Sequence, residues 1–204
     1  MVVIVNYGLG NLGSIRNMLR KLGQDALVAG SPDQLMQADH IILPGVGAFD
    51  SGMRNLQSSG FLPALTHKVM LQKVPLLGIC LGMQLLTEDS QEGGEKGLGW
   101  IAAHTLRLAP GKLKVPHMGW NQVQPVTATP LWDAADWPDW RFYFVHSYYV
   151  KCSYPQDVSA HTHYGTRFAS VIQRDNIVAC QFHPEKSHRF GFQLLRNFLN
   201  MSSS

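Results

Sequence analysis

Cys80 stands between two glycines in Gly78-Ile-Cys-Leu-Gly82, after the apolar run 76–79 and before a segment of helical character. A cysteine at a strand-to-helix turn has the layout of a nucleophile elbow. The glycines admit a tight turn, and the free N–H groups and positive dipole end of the helix favour thiolate, the nucleophilic form. The pattern alone fits a small buried hydrophobe equally well, the commonest fate of a free cysteine. A catalytic thiol needs a base. One stands near the other end of the chain, where the strand-like run 176–182 leads into His183-Pro-Glu-Lys-Ser187. In extended chain, residues two apart share a side, so His183 and Glu185 face one way while Pro184 ends the ladder between them. A carboxylate beside an imidazole orients the ring and stabilises its protonated form. Such a histidine serves as base to a thiol and as acid to a leaving group.

Several elements must bring these groups together. Strand and helix alternate through the first half: strand 2–6; helix 11–22 with Ile15, Met18, Leu19 and Leu22 on one face and Gly23 as its stop; strand 26–29. Ser31 and Pro32 read as the cap and first position of the next helix. Strand 40–43, loop 44–47 and two helical stretches precede the strand that carries Cys80. The second half is richer in strand, over 105–108, 121–126, 141–150, 168–173 and 177–182, with a hairpin turn at Asp175-Asn176 and a closing helix over 189–200. The tryptophan-rich stretch 132–140 reads as a surface loop with anchored aromatics. The expected fold is α/β: a mixed, mostly parallel central sheet with helices on both faces and a more antiparallel second half, in one domain over 1–204.

Composition narrows the possible functions. The 204 residues are 45% hydrophobic and 15% charged, which describes a soluble globular chain. Its apolar runs are too short to span a bilayer and no charged segment precedes an apolar stretch at the N-terminus, so a cytoplasmic location without membrane contact is expected. Three cysteines, an odd count, agree with a reducing compartment. The net charge of +3 is scattered, without the basic and aromatic interleaving that nucleic-acid binding needs. His161-Thr-His163 alone is a poor ligand set, so no metal is expected.

Gly8-Leu-Gly-Asn-Leu-Gly13 is a formal dinucleotide fingerprint directly after a strand. It wants an acid at the end of the second strand to hold the ribose, and that position reads Ala29-Gly30-Ser31. An NAD-binding oxidoreductase is thus the runner-up of another class; the other reading is a glycine-rich turn that packs closely or meets a partner.

Gly78-Ile-Cys-Leu-Gly-Met-Gln84 together with Gln181-Phe-His-Pro-Glu185 resembles the class I glutamine amidotransferases, Cys-His-Glu enzymes that release ammonia from glutamine. The resemblance covers nearly the whole chain. Asn6-Tyr-Gly-Leu-Gly-Asn11, Pro44-Gly-Val-Gly-Ala-Phe49, Pro116-His-Met-Gly-Trp-Asn121 and Tyr143-Phe-Val-His-Ser-Tyr148 resemble one branch, the glutaminase subunits of imidazole glycerol phosphate synthases. That branch commonly ends its first strand in Asp-Tyr, where this chain has Asn6-Tyr7.

The resemblance implies a flavodoxin-like fold without cofactor, and a function: hydrolysis of L-glutamine to glutamate and ammonia through a thioester on Cys80, with His183 as base and acid and Glu185 holding His183. It implies an oxyanion hole made by the Leu81 backbone N–H and a donor from Val46 or Gly47. Gly45, Gln84, His146, Ser147 and Tyr148 would meet the substrate. The implied partner, in a heterodimer, is a (β/α)8-barrel cyclase that takes the ammonia and forms imidazole glycerol phosphate and AICAR from a phosphoribulosyl-formimino nucleotide in histidine biosynthesis. Asn11, Met118, Trp120 and Lys186 would form the contact face. The tail 183–191 also fits a paralogous chain supplying a surface-sugar-modifying synthase, with the same glutamine chemistry and a different acceptor.

Overall fold

The computed structural model describes residues 1–126, 129, 131–132 and 139–202. The first half comprises β1 (Val2–Val5), α1 (Leu12–Lys21), β2 (Ala26–Ala29), α2 (Pro32–Leu35), β3 (His40–Leu43), α3 (Phe49–Ser58), α4 (Phe61–Thr66), β4 (Leu76–Ile79) and α5 (Leu81–Leu85). Then follow β5 (Asp89–Ser90), β6 (Ala103–Arg107), β7 (His117–Pro125), β8 (Trp140–His146), β9 (Tyr148–Cys152), β10 (Val158–Tyr164), β11 (Thr166–Arg174), β12 (Ile177–Cys180) and α6 (His188–Leu199).

Strands β2, β1, β3, β4 and β12 lie side by side and parallel; β11 continues the sheet antiparallel to β12, followed by β10, β7 and β8. β1, β4 and β12 are buried at every position, as strands covered on both faces must be. Alternate residues feed two core layers. Val3 and Val5 point to the layer that holds Phe49, Met53, Leu65 and Leu81 of α3, α4 and α5. Val2 and Ile4 point to the opposite layer, with Ile15 and Leu19 of α1 and Leu194, Leu195 and Phe198 of α6. The sheet is therefore mixed and helix-covered on both faces.

Several local expectations change. Ser31 occupies the cap position of α2, but its side chain makes no capping hydrogen bond. The expected strand 141–150 is two strands, because the chain changes partners at Ser147: β8 pairs with β7, whereas β9 pairs with β6 and β11. β10 has no counterpart in the sequence reading, since its buried Ser159 and Thr162 erase the apolar alternation that marks a strand. Trp132 and Trp140 are buried and meet edge to face at 5.1 Å, which anchors the ends of the tryptophan-rich stretch. Residues 133–138 lie outside the described residues. Among the described residues no helix is long and apolar enough to cross a membrane.

Candidate active site

Cys80 forms the cap of α5 with φ 53° and ψ −106°, a conformation that costs a side-chain-bearing residue energy and persists only where neighbours impose it. They do so here. The Cys80 N–H donates to the Cys180 carbonyl at 2.8 Å, and its own carbonyl accepts from Met83 and Gln84. Gly82 is required because a Cβ there would lie 1.9 Å from the Leu43 carbonyl oxygen. Gly45, on the loop after β3, would place a Cβ 2.6 Å from the Tyr7 hydroxyl and 2.7 Å from the Leu81 Cβ.

β12 runs parallel to β4 with Cys180 opposite Ile79, so the two strands end at the same place in the sheet. That register sets His183 beside Cys80 at the carboxyl ends of adjacent parallel strands, where open α/β sheets form their sites. Pro184 starts a short 3-10 turn, and the Ser187 hydroxyl donates to the His183 carbonyl at 2.6 Å. The turn brings the Glu185 carboxylate to 2.8 Å from His183 Nδ1, with both side chains only 2% exposed. Burial opposes a charge on the ring, but the Cys80 sulfur and the Glu185 carboxylate more than offset it and push His183 up to about 10. His183 Nε2 is buried without a hydrogen-bond partner among the described residues. Gln181 Nε2 lies 3.8 Å from the Cys80 sulfur on a further side.

A cavity of about 320 Å³ opens over this pair. Cys80, Leu81, His183, Val46, Gly47, Gln84, His146, Ser147 and Tyr148 all line it. Gly45 does not; it lies buried beneath, with its carbonyl accepting from the Leu81 N–H at 3.3 Å. The Leu81 donor expected for the oxyanion is thus engaged by the loop itself. His146 lines the wall with both ring nitrogens already committed within the chain, to the Tyr148 carbonyl at 2.7 Å and to His117 at 2.9 Å. Burial pushes His146 down to about 3, so the ring is neutral.

Three lining residues were not among the expected site residues: Val145 beside His146, Pro116 and Glu92. Pro116 follows a cis peptide bond. Glu92 reaches the cavity from the loop after β5, where its carboxylate accepts the Phe49 N–H at 2.9 Å. An acid beside Gly93-Gly94 is a common loop composition, and only the fold brings it to the elbow.

The residues expected at a partner face are largely gathered. Met118 and Trp120 lie on the same face of β7 and are 61% and 48% exposed. The Trp120 ring stacks on His188 at 5.7 Å, and the Lys186 ammonium sits 5.6 Å over the Tyr143 ring. Asn11 caps α1, half-buried and without a side-chain capping bond.

The glycine-rich turn 8–13 serves packing. A Cβ on Gly10 would press on Pro44 at 3.0 Å, whereas Gly13, which a dinucleotide turn needs for close packing, has open space about it. The Tyr7 hydroxyl donates to the Pro44 carbonyl at 2.7 Å, so this turn braces the loop over Cys80.

The sequence profile of the family described as glutamine amidotransferase class-I matches residues 3–201. The chain is 49% identical over 203 residues to imidazole glycerol phosphate synthase subunit HisH 2 of Methanococcus maripaludis, covering 99% of this chain and 100% of that protein. It is 46% identical over 202 residues to the protein of the same name from Pseudomonas aeruginosa, covering 98% and 100%. A solved structure described as a glutamine amidotransferase superposes with a TM-score of 0.76 over 98% of this chain and 97% of that one, at 19% identity, a likeness of fold alone. Likeness of that extent in sequence makes this chain a member of the class-I glutamine amidotransferase family.

Proposed function

We propose that this chain is the glutaminase subunit of an imidazole glycerol phosphate synthase, acting in histidine biosynthesis as one amidotransferase domain over 1–204. It would work as a heterodimer with a (β/α)8-barrel cyclase that receives the ammonia. The carrying observation is the buried His183–Glu185 pair at 2.8 Å, set beside the cysteine elbow at the mouth of a cavity. The full-length similarity to the two HisH proteins supports the pathway.

The chemistry follows from that arrangement. His183, held charged at neutral pH, is poised as an acid. The Cys80 sulfur attacks the glutamine carboxamide carbon and the carbonyl electrons move onto oxygen. Collapse of that intermediate breaks the C–N bond, and the His183 proton leaves with ammonia. Water, deprotonated by the now neutral His183, then attacks the thioester, releasing glutamate and restoring Cys80. Gln84, Ser147 and Tyr148 would meet the amino-acid end of the substrate. Glu92 supplies a carboxylate for the α-ammonium.

Both tetrahedral intermediates need oxyanion donors. In a trans peptide the C=O and N–H point to opposite sides. Rotating the Gly45–Val46 peptide would therefore free the Leu81 N–H and turn the Val46 N–H toward the cavity in one motion. Gly47 at φ 104° and the exposed Val46 give the loop freedom to do so. One missing oxyanion donor costs roughly 100- to 1,000-fold in rate. The isolated chain should therefore be a weak glutaminase that its partner activates.

Glutamate release, measured with and without a cyclase subunit and its nucleotide substrate, tests this. We expect stimulation of at least about 100-fold and no release from Cys80→Ala under either condition. Stimulation by no cyclase would overturn the histidine assignment and favour the surface-sugar reading. Unchanged activity in Cys80→Ala would overturn the mechanism.

A further inference from the structure

Two buried histidines outside the proposed triad face each other across the β7–β8 ladder, His117 opposite His146. The direction of each hydrogen bond between them follows from the ends of the chain they form. The Tyr148 carbonyl only accepts, so His146 Nδ1, 2.7 Å away, carries the hydrogen. The Nε2 of that neutral ring is a lone pair, and it accepts from His117 Nδ1–H at 2.9 Å. His117 Nε2 must then accept, and the Asn121 amide nitrogen donates to it at 3.2 Å. The Asn121 amide is oriented independently: its nitrogen donates to the His163 carbonyl at 3.0 Å and its oxygen accepts from the Gln122 N–H at 2.8 Å. Burial holds both rings neutral, with His117 pushed down to about 4. Beyond Tyr148, Gln84 Nε2 donates to the same carbonyl at 3.2 Å and to Gln181 Oε1 at 3.3 Å; Gln181 Nε2 in turn faces the Cys80 sulfur.

We propose that His117 is a positioning residue for glutamine: through a one-directional relay it sets the tautomer of His146, which fixes the turn at Ser147 and the Tyr148 carbonyl against which Gln84 is aligned. The proposal rests on the glutaminase reading of Cys80. The bond from His146 to Tyr148 closes the turn at which the chain leaves one ladder for another, and Ser147 and Tyr148 at that turn line the cavity. Without His117, the His146 Nε2 lone pair is left buried without a donor. The alternative tautomer would turn a lone pair of His146 toward the Tyr148 carbonyl, and the turn would open. His183 and Glu185 follow β12, and their turn is tied to β8 at Tyr143, three residues before His146 and away from the Ser147 turn, so substrate binding suffers more than chemistry.

The test compares His117→Phe with His117→Asn in the presence of the cyclase. Phenylalanine keeps the stacking on Phe144 and Tyr164 but has no donor. Asparagine places an amide N–H where Nδ1–H stood. We expect His117→Phe to raise KM for glutamine roughly tenfold with kcat within about twofold, and His117→Asn to return KM to within about threefold of the parent. Nitrogen-15 spectra of the imidazoles should show both rings as neutral Nδ1–H tautomers at pH 7. An active parent whose KM ignores His117→Phe would overturn the proposal, as would either ring being charged or Nε2–H at pH 7. An inactive parent would instead overturn the glutaminase reading. Should His117→Phe fail to fold, the tautomers and His117→Asn decide.

Discussion

His183 keeps a proton in a place that disfavours charge, because the Cys80 sulfur and the Glu185 carboxylate flank one ring and both favour its protonated form. Its pKa is raised from the ordinary 6.5 to about 10, so the charged ring contributes stability that is fully present below pH 6.5 and lost as pH rises through 10. The melting temperature of the isolated chain should therefore fall between those two values. Glu185→Gln should shrink that fall and lower kcat roughly 1,000-fold or more, since the ring loses the group that orients it. Calorimetric scans at several pH values check the first part; an unchanged slope in Glu185→Gln would count against the pair. His183 and Glu185 could be read from sequence because a base and a carboxylate stand two residues apart; the 3-10 turn at Pro184, not the extended chain expected, is what joins them. Glu92 and His117 could not, because nothing near them in sequence marks their partners.

The elbow is the element on which the site depends. α5 begins at Cys80 only because Gly82 lets the helix approach the β3 carboxyl end, with the Leu43 carbonyl where a Cβ would be. Gly82→Ala forces strand or helix to move, at a cost of about 3 kcal/mol. In a chain of this length that is roughly 6–12 °C in melting temperature, and glutaminase activity should fall with it. A variant that melted with the parent and kept its activity would show that the elbow tolerates a side chain. The parallel strands were evident because burial on both faces leaves unbroken apolar runs. β10 was not, because buried hydroxyls in its sequence find hydrogen-bond partners such as the Gln122 carbonyl, which Thr162 meets at 3.0 Å.

At the scale of the molecule, β7 carries two different surfaces. Its outward residues, Met118 and Trp120, belong to the proposed partner face; its inward residues, His117 and Asn121, belong to the relay. An exposed tryptophan backed by His188 is the kind of anchor that dominates interface energetics. Trp120→Ala should weaken the cyclase complex by about 2 kcal/mol, roughly 30-fold in Kd. Glutaminase activity measured without cyclase should stay within about twofold. Titration calorimetry reads the first and glutamate release the second; an unchanged Kd would remove Trp120 from the interface.

The sequence alone determined the reactive groups and the alternation of parallel strands with helices, because the elbow glycines, the His-Pro-Glu spacing and the apolar runs act over a few residues. Tertiary structure decided what those groups meet. The register of β12 on β4 joins Cys80 to His183, the Gly45 carbonyl closes on the Leu81 N–H, and Glu92 and the two histidines arrive from loops and strands remote in the chain. The direction of a hydrogen bond depends on both partners, and partners far apart in sequence are chosen only when the core packs.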